Sequence, residues 1–213
     1  LPVPAAALPR RGIVAAGHPA AADAAATMLE AGGNAFDATV AAGFASAVCE
    51  PGFTSLAGGG FLLARPAGRA DVLFDFFVDT PGRGRPDGSP DPVFEEVAVT
   101  FAAATQRFHC GPGSVAVPGV LAGYLHVHRR LGRLPLADVV APAARLATEG
   151  VAVSPTQAHD LEPLEPILAR TAARRAIFLP GGTLMTEGQV LHNPDLGAFL
   201  REEAHDARAA RDV

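Results

Sequence analysis

Residues 35–48, with the sequence AFDATVAAGFASAV, restrict the possible folds of this chain more than any other segment. Asp37 is their one charged side chain. At helical spacing the apolar side chains point in nearly every direction, and a helix that is apolar all round must be covered on most sides. We therefore expect this helix to lie inside a multilayer structure. The chain has enough material for a core, because 49% of its 213 residues are apolar and 18% are charged.

An amphipathic helix is predicted directly before this segment. In residues 19–31, polar side chains recur at helical spacing and alanines and other apolar residues occupy the opposite side. Gly32 and Gly33 can end this helix through a left-handed turn. Asn34, with Asp37 three residues later, is a suitable cap for the helix that follows.

Short strands are predicted in the middle of the chain. Residues 61–64 and 72–77 form two apolar runs around a loop, which predicts a β-hairpin with largely buried strands. Residues 80–92 are rich in proline and glycine and predict a surface loop. Further short strands are predicted at residues 97–101 and 114–117.

The second half of the sequence predicts helices. One helix is expected over residues 120–131 and another over 136–148, with Pro142 near a turn or kink. Residues 155–176 predict one or two helices interrupted by prolines, and residues 194–213 predict a charged helix. Together these elements predict a globular α+β chain.

Charge and residue usage exclude several classes of function. All 17 basic residues are arginines, so the chain offers no lysine for a P-loop phosphate clamp or a Schiff base. A net charge of −5 gives no basic surface for nucleic acid. No apolar run approaches the ~18 residues of a membrane span. Residues 1–11 predict an extended lead without the order of a secretory signal, and the chain begins with Leu1, so the natural start could lie upstream.

The Gly58–Gly60 run follows Thr54 and Ser55 and has two interpretations. Glycine N–H groups can bind an anion together, but the spacing matches neither the dinucleotide nor the P-loop fingerprint. A close backbone approach between a helix and a strand is the favoured interpretation.

A hydrolase nucleophile and a metal site are both weakly indicated. Ser114 has His109 nearby, but the Gly-x-Ser-x-Gly elbow is absent. His126 and His128 lie two residues apart on a predicted helix, so they point to different faces and suit a shared metal poorly. We interpret both as ordinary surface or boundary residues.

Three pairs of reactive or charged residues are given structural roles. Cys49 and Cys110 are interpreted as small buried apolar residues. The acidic pair Glu95 and Glu96 is interpreted as a solvated strand edge. The basic pair at residues 129–130 is interpreted as an exposed helix face. These residues alone give no self-contained active site.

The order of several motifs is more specific than any one of them. The stretch over residues 17–63 contains His-Pro, a helix, Gly-Gly-Asn-Ala, Asp-Ala, Glu-Pro and a glycine-rich turn. It resembles the start of the large subunit in the gamma-glutamyltranspeptidase family. GSVAVPGVLAG at 113–123, the stretch 131–154 and NPDLGAFL at 193–200 also match, in the family's order and at about its spacing. The matching residues of the first stretch are His18, Pro19, Gly32, Gly33, Asn34, Ala35, Asp37, Ala38, Glu50, Pro51 and Gly58–Gly60.

The resemblance implies an N-terminal-nucleophile hydrolase with a four-layer αββα sandwich, incomplete in this chain. Such a precursor cleaves itself to free a threonine, which attacks with its own α-amine as the base. Family members act on γ-glutamyl amides such as glutathione and need no metal or organic cofactor. Residues 1–213 would form the large-subunit part, and the partner would be a C-terminal small subunit carrying the threonine.

Two departures from the family pattern affect the expected site. The chain ends before the family's threonine, so it supplies no catalytic residue and is expected to be inactive alone. The family motif Asp-x-Arg-Glu-x-Ala-Pro corresponds to residues 75–81, DFFVDTP, and Phe77 stands where the arginine should pair with the substrate α-carboxylate. Losing that contact costs about 1.5 to 3 kcal/mol. Arg83 is the candidate substrate-binding residue that could supply the cation, and the alternative is a solvent-exposed loop arginine.

The alternative to an enzyme portion is a non-catalytic structural fragment or gene remnant that keeps part of the fold. If half of the sandwich is absent, the strands within residues 61–77 should expose a large apolar face. A cytoplasmic location is weakly favoured because no export signal occurs in the sequence.

Overall fold

The computed structural model describes residues 12–209, and within them the chain forms eight α-helices and six short strands. The predicted α+β class is confirmed. The extended lead predicted for residues 1–11 lies outside the described residues. The helices are α1 Pro19–Glu30, α2 Ala35–Cys49, α3 Val120–Leu131, α4 Leu136–Glu149, α5 Pro155–Leu161, α6 Glu165–Leu168, α7 Ala172–Phe178 and α8 Pro194–Ala209. The strands are β1 Phe61–Ala64, β2 Val72–Asp75, β3 Glu95–Phe101, β4 Ala104–Cys110, β5 Val151–Ala152 and β6 Val190–Leu191.

The corner between α1 and α2 forms as the sequence predicts. Gly32 adopts φ +85°, and the N–H of Gly33 donates to the carbonyl of Met28 at 2.9 Å, which is the Schellman closure of a helix. The Asn34 side chain then accepts the N–H of Asp37, whose carboxylate accepts the Asn34 N–H at 2.8 Å. This reciprocal pair fixes the first turn of α2.

Helix α2 is the centre of the core. It packs against α1, α3 and α4, and its residues Val40, Ala41 and Phe44 are at most 1% exposed. The prediction that this helix is covered on most sides is confirmed. Helix α8 packs on α4 and extends the same core.

Strands β1 and β2 pair antiparallel, with Leu63 opposite Leu73. Ala64 and Phe74 lie on the face packed toward the helices and are buried. On the opposite face Leu63 and Leu73 are 72% and 62% exposed, and Phe61 is 59% exposed. The prediction of largely buried strands is therefore wrong for this outer face, because the described part of the chain packs helices against one side of the hairpin only.

A second hairpin, β3–β4, includes one of the two other predicted strands. The strand predicted at 97–101 is confirmed within β3, but the strand predicted at 114–117 is wrong. Residues 112–114 form a 3-10 turn, and the predicted strand contributes only an isolated bridge from Val117 to Asp79. Strand β4 was not predicted, because the chain reverses at Ala102, with φ +47°, instead of at a glycine.

The helical second half follows the prediction with one correction. Helix α4 runs through Pro142, and Gly150 ends it with φ +95°. The segment 155–176 contains three short α-helices rather than one or two, because prolines start α5 and α6 and Thr171 caps α7. Within residues 12–209, none of the helices is long and apolar enough to cross a membrane. The cytoplasmic location stays a prediction.

Candidate functional site

The glycine run at 58–60 joins the first hairpin to the start of α3. The Gly58 carbonyl accepts the N–H groups of Gly119 and Val120 at 2.9 and 3.1 Å. Gly60 exchanges two backbone hydrogen bonds with Phe76 at 3.1 and 3.3 Å. The predicted close approach of helix and strand backbones is confirmed. The N–H groups of Gly58 and Gly60 already donate to backbone carbonyls, so these two donors are not available to bind an anion.

Phe77 follows β2 and lies on the outer side of the hairpin. Its N–H donates to the Asp75 carboxylate at 3.0 Å, and its side chain is 58% exposed. The ring stacks on Phe61, with ring centres 5.5 Å apart and planes within 10°. The position that the resemblance assigns to a substrate-binding arginine therefore presents an aromatic pair to solvent.

Arg83 lies in the exposed loop that follows this aromatic pair. Its guanidinium Nη2 is 3.3 Å from Asp79 Oδ2, and the two side chains are 91% and 63% exposed. The Asp79 backbone is fixed by two hydrogen bonds with Val117, at 2.8 and 3.2 Å. An ion pair this exposed contributes little free energy, so Arg83 can leave Asp79 at small cost.

Ser114 and His109 each have a separate local partner. The Ser114 hydroxyl donates to the Gly111 carbonyl at 2.9 Å, within the 3-10 turn. The His109 ring packs against Phe94 with centres 4.5 Å apart, and its Nε2 is 3.7 Å from the Glu96 carboxylate. The structure therefore gives no nucleophile and base pair at these residues.

His128 and Asp37 form a buried polar contact that the sequence did not reveal. The interpretation of His128 as a surface or boundary residue is wrong, because it is 2% exposed. Its Nε2 lies 2.9 Å from the Leu134 carbonyl and 3.6 Å from the Asp37 carboxylate. Asp37 also accepts the N–H groups of Arg133 and Leu134. The helix cap with Asn34 already accounts for an acidic residue at position 37. The sequence therefore gave no separate sign that Asp37 also contacts His128 and the chain at residues 133–134.

The two cysteines are buried, as predicted. Burial, with a smaller contribution from the neighbouring Glu50 charge, raises the pKa of Cys49 to about 12. The thiol is therefore protonated at neutral pH and a poor nucleophile.

The charged pairs lie on the surface, as predicted. Glu96 accepts from Arg107 Nη1 at 2.9 Å on the neighbouring strand, and Glu95 accepts from Arg170 of the segment between α6 and α7. The basic pair 129–130 is exposed on α3. Among the described residues, no group of three or more His, Cys, Asp or Glu side chains is arranged to hold a metal ion.

Comparison with known proteins gives consistent matches over nearly the whole chain. The gamma-glutamyltranspeptidase family matches residues 21–210. The chain is 36% identical to an acylase ACY 1 proenzyme of Pseudomonas sp. (strain V22), over 90% of this chain and 34% of that protein. It is 32% identical to a glutathione hydrolase proenzyme of Bacillus subtilis (strain 168), over 92% of this chain and 33% of that protein. The chain thus spans about a third of these relatives.

A solved structure shares the fold. The gamma-glutamyltranspeptidase of Helicobacter pylori superposes with a TM-score of 0.76 at 26% identity, covering 97% of this chain and 56% of that one. This likeness confirms the fold class expected from the resemblance, namely part of an N-terminal-nucleophile hydrolase.

Proposed function

The chain belongs to the gamma-glutamyltranspeptidase family, and on that premise we propose that it is the large-subunit portion of an enzyme that cleaves or transfers gamma-glutamyl or related acyl amides. The main support is the family match over residues 21–210, together with relatives named as proenzymes that are about three times as long. The proposed nucleophile is a threonine, freed when the precursor cleaves itself, in a part of the protein outside this chain. Its α-amine would act as the base.

The outer face of the first hairpin supports a small-subunit partner. Phe61, Leu63 and Leu73 form an exposed apolar surface next to Phe77. An exposed apolar patch in a protein of this size marks a contact surface. We propose that the small subunit covers this face and completes the second layer of the sandwich.

The residue at position 77 defines the proposed substrate class. The Phe77 ring cannot make the paired hydrogen bonds that a guanidinium makes to a carboxylate. The substrate is therefore proposed to be an amide whose acyl side need not carry the glutamyl α-carboxylate. The 36% identity to a protein named as an acylase supports this broader class.

Intact-mass analysis and N-terminal sequencing of the natural product test the proposed processing. Two polypeptides, the smaller one beginning with threonine, are the expected result. A single uncut polypeptide would contradict the proposal and favour the non-catalytic fragment or gene remnant.

Arg83 is proposed as the cation that binds any carboxylate on the acyl side. In the natural enzyme, Arg83→Ala should raise KM for an anionic γ-glutamyl amide about tenfold and leave an uncharged acyl amide unaffected, since one charge-assisted contact is lost. Arg65→Ala is the matched control, because Arg65 also forms an exposed ion pair, with Asp71 at 3.8 Å. Equal kinetics for Arg83→Ala and the parent enzyme would show that Arg83 does not bind the substrate.

A further inference from the structure

Strand β2 pairs with β1 along one edge, and its other edge presents main-chain hydrogen-bonding groups. In an antiparallel pair, residues that exchange both hydrogen bonds with the partner strand alternate with residues that exchange none. Gly60 and Phe76 exchange both bonds, so the register makes Phe74 bond to β1 as well. The main-chain groups of Leu73 and Asp75 therefore point away from β1, and within residues 12–209 they have no hydrogen-bond partner. We call this side the open edge of β2.

A groove of about 800 Å³ runs along the open edge of β2. One wall consists of residues 72–76, and the other is a face of α3 that includes Gly123 and Leu125. None of the described residues of β1 lines it, so the groove lies on the open side of β2. An extended peptide can add to a sheet where such an edge is accessible, through main-chain hydrogen bonds.

The side chains of β2 do not protect this edge against pairing. Proteins protect exposed edges with charged residues, prolines or bulges. Strand β4 follows that rule, because it carries Arg107 and His109, both beside Glu96. Strand β2 has the sequence VLFD, whose first three residues are apolar, and Leu73 is 62% exposed. An edge of this composition is expected to be covered in the complete protein.

The α3 wall gives the groove a positive charge. His126, Arg129 and Arg130 line it, and Asp75 is the one carboxylate among the lining residues that the structure describes. The Arg130 guanidinium lies 5.5 Å from the centre of the Phe74 ring, and Arg129 Nη2 is 3.2 Å from His126 Nδ1. Neither arginine forms an ion pair within the described part of the chain. A segment that fills the groove is therefore expected to bring a carboxylate toward α3.

We propose that an extended segment of the small-subunit part of this protein pairs with the open edge of β2 as a third strand. Its main chain bonds to the N–H and C=O groups of Leu73 and Asp75, and an acidic side chain of the segment faces Arg129 and Arg130. The relatives named as proenzymes are about three times as long as this chain, which leaves ample length for such a segment. This inference rests on the proposed function, because it requires the small subunit, and it adds the way in which the two parts bind.

Amide hydrogen exchange of the natural full-length product tests this pairing, read for single residues by NMR. The Leu73 and Asp75 amides should exchange at least about a hundredfold more slowly than in an unfolded peptide. The Phe74 amide is the internal control, since it bonds to β1 with or without a third strand. Exchange of Leu73 and Asp75 at the unfolded rate, with Phe74 protected, would overturn the proposal.

The subunit composition of the product separates a failure of this pairing from a failure of the proposed function. If the product contains two subunits and the Leu73 amide still exchanges at the unfolded rate, the pairing is wrong and the proposed function stands. A single uncut polypeptide with a rapidly exchanging Leu73 amide would overturn both. Equal protection of Leu73 in the chain expressed alone would assign the edge to a second copy of this chain and would also overturn the proposal.

Two variants at position 73 separate main-chain pairing from side-chain packing. Leu73→Pro removes the N–H that points away from β1, whereas Leu73→Thr removes the apolar side chain and keeps that N–H. Neither variant removes a group that bonds to β1. In the processed enzyme, Leu73→Pro should make the two subunits separate in dilute urea at least about tenfold faster than Leu73→Thr, measured by size-exclusion chromatography. Equal rates for the two variants would contradict main-chain pairing.

A charge reversal on α3 tests the acidic partner of the groove. Arg129→Glu should make the subunits separate about tenfold faster, because it sets two negative charges against each other. Arg69→Glu is the matched control, since Arg69 is an exposed arginine of the β1–β2 loop and lies outside the groove. The same rate for both variants would show that the segment carries no carboxylate toward α3.

Discussion

At the scale of single residues, Asp37 joins two corners of the fold that lie far apart in sequence. Its carboxylate accepts the Asn34 N–H in the α1–α2 corner and the N–H groups of Arg133 and Leu134 between α3 and α4. A fully buried carboxylate is tolerated when several donors surround it. Asp37 therefore orients α2 relative to α3 and α4 through one side chain.

Replacement of Asp37 by alanine should be among the most destabilising single changes in the chain. It leaves the backbone N–H groups of Asn34, Arg133 and Leu134 without their acceptor. We expect the free energy of unfolding to fall by about 3 to 5 kcal/mol, measured by urea denaturation. Asp138→Ala, at an exposed carboxylate in the first turn of α4, should cost about 1 kcal/mol or less. Equal losses for the two variants would contradict this role of Asp37.

The Cys49 thiol should be unreactive toward alkylating reagents in the folded protein. Its pKa is raised to about 12, so the thiolate is scarce at pH 9 and the side chain is also buried. In a Cys110→Ala background, iodoacetamide at pH 9 should alkylate Cys49 at least about a hundredfold more slowly than free cysteine, and at the ordinary rate once urea unfolds the chain. Mass spectrometry measures both rates. Rapid alkylation of the folded protein would show that the thiol is accessible.

The same pKa shift makes stability depend on pH. The folded state binds the Cys49 proton more tightly than the unfolded state, for which the ordinary pKa is 9.0. The contribution is thus fully present below pH 9 and is lost as the pH rises toward about 12. Tyr124, whose pKa burial also raises, changes stability in the same direction. Cys49→Ala should therefore flatten the decline in the free energy of unfolding over this range, followed by urea denaturation, and an unchanged slope would contradict the assignment.

Only those contacts that join residues close together in the sequence could be predicted from the sequence. The cap between Asn34 and Asp37 is visible because three residues separate them. The bond from Arg133 to Asp37 spans 96 positions, and no periodicity links residues that far apart. The burial of His128 follows from the same long-range contact, so it could not be inferred from its place on a helix.

At the scale of elements, the junction between the first hairpin and α3 depends on close backbone contact. Gly119 and Val120 donate to the Gly58 carbonyl, and a Cβ added at Gly119 would overlap the Phe76 carbonyl oxygen. Gly119 has φ −116°, a conformation open to any residue, so steric space is the constraint there.

Gly119→Ala should therefore destabilise this junction by overpacking. The expected loss is about 1 to 3 kcal/mol in the free energy of unfolding, measured in urea. Gly52→Ala is the matched control, because the nearest atom to its Cβ would be Leu161 Cδ2 at 3.8 Å. A loss no larger at Gly119 than at Gly52 would show that the hairpin can shift away from α3 without cost.

Elements with strong local signals were predicted, and those set by distant packing were not. Apolar periodicity and caps gave α1 and α2 almost to their ends. Strand β4 escaped prediction because its pairing with β3 turns at Ala102, where the sequence contains no turn-forming residue. The outer face of the first hairpin has the apolar residues of a buried strand. An apolar pattern predicts burial, but it does not show whether the covering surface belongs to the same chain.

At the scale of the whole molecule, the main core contains α1 to α4, α8 and the inner face of the first hairpin, and the outer face of that hairpin remains uncovered. Leu63 and Leu73 face each other across β1 and β2 on this outer side. Because both are already exposed, the chain's own stability owes little to them. Their apolar character is explained by a partner surface, which the proposed small subunit would provide.

The paired substitution Leu63→Thr with Leu73→Thr tests that explanation. Threonine keeps the preference for strand structure, so the free energy of unfolding of the chain alone should change by less than about 1 kcal/mol. Binding of a hydrophobic dye to the chain expressed alone should fall, and so should its aggregation, because two exposed apolar side chains of this face become polar. Val190→Thr, at another exposed position that is 47% accessible, should change neither. If the parent chain is instead a monodisperse monomer that melts cooperatively and binds no dye, the outer face needs no partner, and the small-subunit proposal loses its structural support.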